Sequence, residues 1–254
     1  MEAYYGTIKA QGWKAKSEAL TAGVIAGKAA FTAETGDRMF YNDYRTLDNC
    51  LSAFLSHINY YHDDELFLEV VDVEEPFKIE LAPGLYFTGK IDMKVKLNSA
   101  LWYFEHKTTG QSIDKQMKSL QRDPQIIGYT YAGFELSEDH VEGIMIPMLS
   151  VSSTKSRVTG EYGKVRIDHR RSPQIFTDGD FASWKESFIW TAEQIENSIY
   201  HNFWPMQYDS CYHFGSCAYC SLCEQNAPLA EINTDNFIAV RPWNVLTEGK
   251  EVSE

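Results

Sequence analysis

Two stretches decide the fold: Gly89-Lys90-Ile91-Asp92-Met93 and Leu101-Trp102-Tyr103-Phe104-Glu105-His106-Lys107-Thr108. Each sits in a strand-like run, 85–97 and 101–107, and Asn98-Ser99 supplies a turn between them. A hairpin turned there brings Asp92 beside Glu105, near enough to share one cation. Glu105 and Lys107 are two positions apart, so both point to one face of their strand. Leu101 to Phe104 is continuously apolar, as in a strand buried on both faces, yet it ends in Glu-His-Lys. Burying an unpaired charge is expensive, so these groups need each other, a metal or a cleft.

Metal-assisted phosphodiester hydrolysis fits them. Hard carboxylate oxygens suit Mg²⁺ or Mn²⁺, and Mg²⁺ takes one or two protein carboxylates plus water and substrate phosphate. Lys107 would orient the attacking water and stabilise the transition state. The bland alternative is an ordinary cross-strand charge pair on a solvated edge. Further along, Gln125 and Tyr129 stand four apart on one helix face. They can brace a lysine or contact a phosphate, although a tyrosine at helical spacing is more often core.

Working outward, apolar periodicity predicts helices over 17–34 and 44–60, the latter with Leu47, Leu51, Phe54, Leu55 and Ile58. Strands are expected over 66–73, 77–81, 85–97 and 101–107, then a helix over 114–134, strands over 144–151 and 164–167, and a helix over 181–200. His62-Asp63-Asp64-Glu65 reads as a polar turn. Helices, a meander, then a helix and a further strand imply one α/β domain around a mixed sheet. The expected division is a core over 1–203, a cysteine segment over 204–226 and an acidic tail over 227–254.

The chain has 254 residues and a net charge of −13. A uniformly basic nucleic-acid coat is therefore excluded, and a polyanion must be met by a local patch or through metal. No apolar run reaches membrane-spanning length and no signal core opens the chain, so a cytoplasmic location is expected. Five cysteines include four within thirteen residues, Cys211, Cys217, Cys220 and Cys223. Without export, so tight a cluster reads as a metal site, and Cys50 reads as a buried small hydrophobe. Tyr212, His213, Phe214, Gly215, Tyr219 and Leu222 lie between or beside the four and can shelter a cofactor. Four thiolates can hold Zn²⁺ or a [4Fe–4S] cluster. The compact CxxCxxC run favours iron–sulfur over a zinc ribbon, which needs two separated pairs.

The ordered array of Gly89-Lys-Ile-Asp92, Glu105-His-Lys107-Thr108, Gln125-x-x-x-Tyr129, Trp204-Pro205 and the cysteines resembles the PD-(D/E)XK nuclease superfamily. Within it the likeness is to the RecB-like branch of CRISPR-associated four-cysteine exonucleases, helicase–nuclease complexes and phage exonucleases. It covers about Gln11 to Cys223. It implies a restriction-endonuclease-like mixed sheet flanked by helices. It implies Asp92, Glu105 and the His106 carbonyl as metal ligands, Lys107 as the catalytic lysine, and Gln125 and Tyr129 as the motif engaging DNA. Cys211, Cys217 and Cys223 match the family's three C-terminal cysteines.

Two features depart from the pattern. The family often has a histidine on its first helix four residues after a glycine, where Gly23 is followed by Gly27. Its N-terminal cysteine precedes an aromatic pair matched by Tyr4 and Tyr5, and would fall at or before the start of this chain. The fourth cluster ligand is then Cys220 or Cys50, or lies upstream, and chain proximity favours Cys220.

Charge reverses locally. Six basic residues (Lys155, Arg157, Lys164, Arg166, Arg170, Arg171) face two acids between 155 and 171, and Lys90, Lys94, Lys96, Lys115 and Lys118 flank the acidic motif. Such stripes can pair with phosphates, although solvated loops carry similar charge. Tyr86, Tyr103 and Tyr131 can stack on bases or fill the core. Ala22-Gly23-Val-Ile-Ala-Gly27-Lys28-Ala29 lacks the first glycine and the hydroxyl of a phosphate loop, so no ATPase is encoded here. A helicase, recombination or CRISPR partner would supply unwinding. The expected activity is a Mg²⁺- or Mn²⁺-dependent DNA exonuclease acting on single-stranded ends. The alternative is a nuclease-fold subunit that binds DNA or a partner without cutting.

Overall fold

A computed structural model describes residues 1–35, 43–205, 208–212, 215–225, 233–235, 237–238 and 244–246. His213, Phe214 and most of the acidic tail lie outside them. The chain forms two compact units, Met1–Ser187 and Phe188–Glu254.

The first unit opens with helices α1 (Glu2–Gln11), α2 (Lys16–Thr35), α3 (Leu47–Tyr60) and α4 (His62–Glu65). Strands β1 (Glu69–Ala82), β2 (Leu85–Leu97), β3 (Ala100–Phe104) and β4 (Lys107–Thr109) follow. Then come α5 (Ile113–Ser119), α6 (Pro124–Leu136), β5 (Val141–Ser152), β6 (Arg166–Gln174) and α7 (Asp178–His201), which runs on into the second unit. Among the described residues the sheet has six strands. β1, β2 and β3 form an antiparallel meander, β5 runs parallel to both β3 and β4, and β6 pairs antiparallel with β5. This is the mixed α/β sheet flanked by helices that the sequence implies.

Alternation gives the sheet two buried faces. On its back, Met93, Val95 and Phe104 pack with Tyr4, Tyr5, Ile8, Ala19, Ile58 and Leu68 beneath α1 to α3. On its front, Ile144, Ile146, Met148 and Ser150 of β5 are all buried, and Tyr103 lies against Gly133 of α6. A Cβ at Gly133 would run into the Tyr103 ring, so the glycine sets how closely helix and sheet approach.

Several elements differ from the sequence expectation. The two strands expected over 66–81 are one, β1, which continues through Glu74 at φ 54° and a register shift between Val70 and Asp72. The helix expected over 114–134 is broken. Asp123 caps α6 by accepting from Gln125 N and Ile126 N, and Pro124 occupies its first turn. The turn at His62–Glu65 is a short helix that buries Glu65 completely. Cys50 is exposed rather than buried, because the inward stripe of α3 is Ala53, His57 and Ile58. Helix α1 was not expected at all, yet it places Tyr4, Tyr5 and Ile8 in the core.

Candidate active site

The β2–β3 ladder runs from Leu97 opposite Ala100 to Met93 opposite Phe104. Asp92 and Glu105 are the next pair in that register, and there the ladder stops. The backbone N–H of His106 donates to Asp92 Oδ2 at 2.7 Å, and that of Glu105 donates to the Met145 carbonyl at 3.1 Å. The expected strand over 101–107 is thereby split into β3 and β4 around Glu105-His106. At the split the His106 N–H turns from the strand ladder to the Asp92 carboxylate.

Lys107 opens β4. Its Nζ donates to Glu105 Oε1 at 2.8 Å and to Gln125 Oε1 at 2.5 Å. Gln125 Nε2 in turn donates to the Tyr129 hydroxyl at 3.2 Å. Tyr129 is seated edge-on against Phe77, and a side chain at Gly89 would come within 2.9 Å of its ring. Glu105, Lys107, Gln125 and Tyr129 therefore form one hydrogen-bonded line from β3 to α6, with Asp92 at its head.

The two carboxylates are electrostatically unlike. Burial opposes ionisation of Asp92, but the His106 hydrogen bonds and the Lys107 charge outweigh it and hold this carboxyl below its usual range. Burial, then the Asp92 charge, pushes Glu105 up to about 7 against the pull of Lys107. Glu105 Oε2 is buried and has no hydrogen-bond partner among the described residues. An orphaned carboxylate oxygen beside a second carboxylate is a setting that a divalent cation would relieve. Among the described residues no three His, Cys, Asp or Glu side chains are grouped to hold a metal. Mg²⁺ does not require three, because one or two carboxylates, a main-chain carbonyl and water suffice.

The His106 ring leaves this line. It lies 5.6 Å, centroid to centroid, from both Tyr5 and His57, with Nδ1 3.4 Å from Asp92 Oδ2. His57 is a residue the sequence reading missed. It lies on α3, fully buried, and among the described residues neither ring nitrogen has a hydrogen-bond partner. Its signal was a histidine on the inward stripe of an amphipathic helix. Gly23 and Gly27 instead let α2 approach Phe54 and Leu51 of α3.

In the second unit the cysteine loop is wound by its own backbone. Cys217 N–H donates to the Cys211 carbonyl at 2.8 Å, Cys220 N–H donates to the Cys217 carbonyl at 3.1 Å, and Cys220–Cys223 forms a single turn, α8. Tyr219 N–H points at Cys217 Sγ, 3.5 Å away. Burial, then the charges of Cys220, Cys217 and Cys223, raises the Cys211 thiol, and among the described residues the four cysteines are not drawn together as a metal site.

The mixed sheet flanked by helices is a restriction-endonuclease-like fold. The model of the PD-(D/E)XK nuclease superfamily matches residues 1–224, and the chain belongs to that superfamily. Its members generally use divalent metals such as Mg²⁺. Among curated proteins no match is found. Among solved structures, that of SSO0001 is similar at 15% identity and a TM-score of 0.32, over 56% of this chain and 60% of its own length. That of a candidate exonuclease from Eubacterium rectale is similar at 13% identity and a TM-score of 0.39, over 92% of this chain and 78% of its own. Among the described residues no helix is long and apolar enough to cross a membrane.

Proposed function

We propose that the protein is a metal-dependent DNA exonuclease acting on single-stranded ends, with its C-terminal cysteines stapled by a [4Fe–4S] cluster. One observation carries the catalytic reading: Lys107 bonds Glu105 and Gln125 at the point where the Asp92–Glu105 register leaves the ladder. Asp92, Glu105 and the His106 carbonyl would hold Mg²⁺ or Mn²⁺. When bound, the cation supplies charge neutralisation at the scissile phosphate and a more acidic water.

The remaining tasks belong to the chain. Lys107 orients the attacking water and donates to a non-bridging phosphate oxygen. Gln125 and Tyr129 fix the ammonium in place, and Asp92 stays ionised throughout the neutral range. Water attacks the phosphorus and the 3′-oxygen leaves, giving a 5′-phosphate and a 3′-hydroxyl. The preference for single-stranded ends comes from the RecB-like resemblance. Cys211, Cys217, Cys220 and Cys223 have the donor chemistry for an iron–sulfur cluster, and Zn²⁺ is the other ion they would take.

End-labelled and circular single-stranded DNA, each with Mg²⁺ and with Mn²⁺, test the activity. Nucleotide release from the labelled strand and an intact circle are expected. A cut circle would make the enzyme an endonuclease, and no release from either would leave a non-cleaving binding subunit. Anaerobically purified protein should absorb near about 400 nm. A colourless protein holding zinc would overturn the cluster.

A further inference from the structure

Lys107 has Met148 as its partner on β5, and Met148 has Arg170 as its partner on β6. Cross-strand partners project to the same face. Arg170 therefore shares the front of the sheet with the Lys107 ammonium, two strand spacings away, or ~10 Å. Two and four residues along β6, Asp168 and Arg166 face the same way, so the two arginines flank one acid, whereas Arg171 turns to the back and pairs with Glu65. Among the described residues β6 pairs only with β5, so its outer edge is open.

One acid meets Arg170 there. Asp114, on α5, accepts from Arg170 Nη1 at 2.6 Å. The side chains are 52% and 66% exposed, so the pair adds little to stability and exchanges readily. Helix α5 belongs to the segment that joins Lys107 to Gln125, and it also exposes Lys115 and Lys118. Charges on an edge strand can serve only to block edge pairing. That role does not require Arg170 to lie in register with the catalytic lysine.

We propose that Arg170 holds a phosphate of the substrate strand beside the scissile one, that Arg166 extends this track, and that Asp114 occupies the guanidinium until the strand displaces it. The proposal rests on the nuclease reading above. A carboxylate and a phosphate compete for one planar donor fork, and the phosphate offers more acceptor oxygens. The two partners of this ion pair therefore have opposite effects. Losing Arg170 weakens binding, and neutralising Asp114 strengthens it.

The test is polarisation of a labelled single-stranded oligodeoxynucleotide on the full chain carrying Lys107→Ala, across a salt series, with cleavage by otherwise wild-type protein measured in parallel. Adding Arg170→Ala should raise Kd roughly tenfold and reduce the salt slope by ~0.7, the value for one single-strand phosphate contact. Arg170→Lys should restore most of the slope. Asp114→Asn should lower Kd by about threefold, the release of one exposed ion pair. Unchanged Kd in both variants, with cleavage intact, would overturn the track and leave the nuclease reading standing. Loss of affinity and of melting temperature in both, at constant slope, would make the pair a structural brace and also overturn it. Opposite shifts in a protein that releases no nucleotide would keep the track and overturn the catalytic reading.

Discussion

Arg171 donates from Nη2 to Glu65 Oε1 at 2.7 Å, behind the sheet whose front carries Glu105 and Lys107. The same oxygen accepts from the Tyr5 hydroxyl at 2.9 Å, and the guanidinium lies 3.9 Å over the Tyr61 ring and 5.3 Å from that of Phe104. One buried carboxylate thus ties α1, α4 and β6 together beneath the residue that precedes Glu105.

Removing one member strands the other charge. Arg171→Met or Glu65→Leu alone should cost about 3–5 kcal/mol in urea unfolding. The double replacement should cost less than either single, because an apolar pair leaves no unpaired ion. A double loss equal to the larger single loss would show that the pairing itself carries the stability, and additive losses that the two residues act independently.

His57 gives the fold an acid limit. Burial, then the charges of His106, His169 and Arg171, depresses its folded value to about 2. A depressed histidine contributes stability that is complete above its unfolded value of about 6.5 and is lost as pH falls below it. Between pH 6.5 and 4.5 the loss is about 2 kcal/mol. His57→Phe should flatten this segment of the stability–pH curve relative to wild type, read by thermal melts at each pH.

The Asp92–Glu105 apposition is legible in sequence for a local reason. Asn98 and Ser99 adopt φ 50° and 67°, closing a two-residue hairpin in which Leu97 faces Ala100. That turn class fixes the register of every later pair. Helical spacing suggests that Gln125 and Tyr129 can brace a lysine, but a lysine-to-glutamine contact across eighteen positions has no periodicity, so the pairing of Lys107 with Gln125 is not read from spacing. Glu65 and α1 are hidden for the same reason. Glu65 is buried because Arg171 arrives 106 residues later, and α1 is short and half polar until the sheet receives Tyr4 and Tyr5. The break at Asp123-Pro124 is written in the sequence, but apolar periodicity on both sides masks it.

Glu105 sets activity against stability. Its carboxyl titrates near 7 in the folded protein against about 4.3 in an unfolded chain. A raised acid contributes stability below the unfolded value and loses it as pH climbs through the folded one. Without metal, wild-type protein should therefore weaken between pH 4.5 and 7. Glu105→Gln should be more stable than wild type at pH 8, by up to about 3 kcal/mol, and should not cleave. Mg²⁺ should raise the melting temperature of wild type at pH 8 and leave that of Glu105→Gln unchanged. An equal Mg²⁺ response in both would remove Glu105 from the metal site.

Under the proposed function, the bonded line from Glu105 to Tyr129 predicts a graded series. Lys107→Ala removes the side chain bonded to both Glu105 and Gln125 and should lower kcat by about 10²–10³, the cost of one preorganised donor. Gln125→Ala leaves Lys107 held by Glu105 alone, so its loss should be smaller, roughly tenfold, the worth of one charge-assisted hydrogen bond. Tyr129→Phe removes only the acceptor of the Gln125 amide, and its loss should be the least. The order Lys107, Gln125, Tyr129 follows distance along the chain of bonds from the carboxylates. Single-turnover cleavage at saturating Mg²⁺ reads it, and a Tyr129→Phe protein as impaired as Lys107→Ala would mean that Tyr129 contacts the substrate directly.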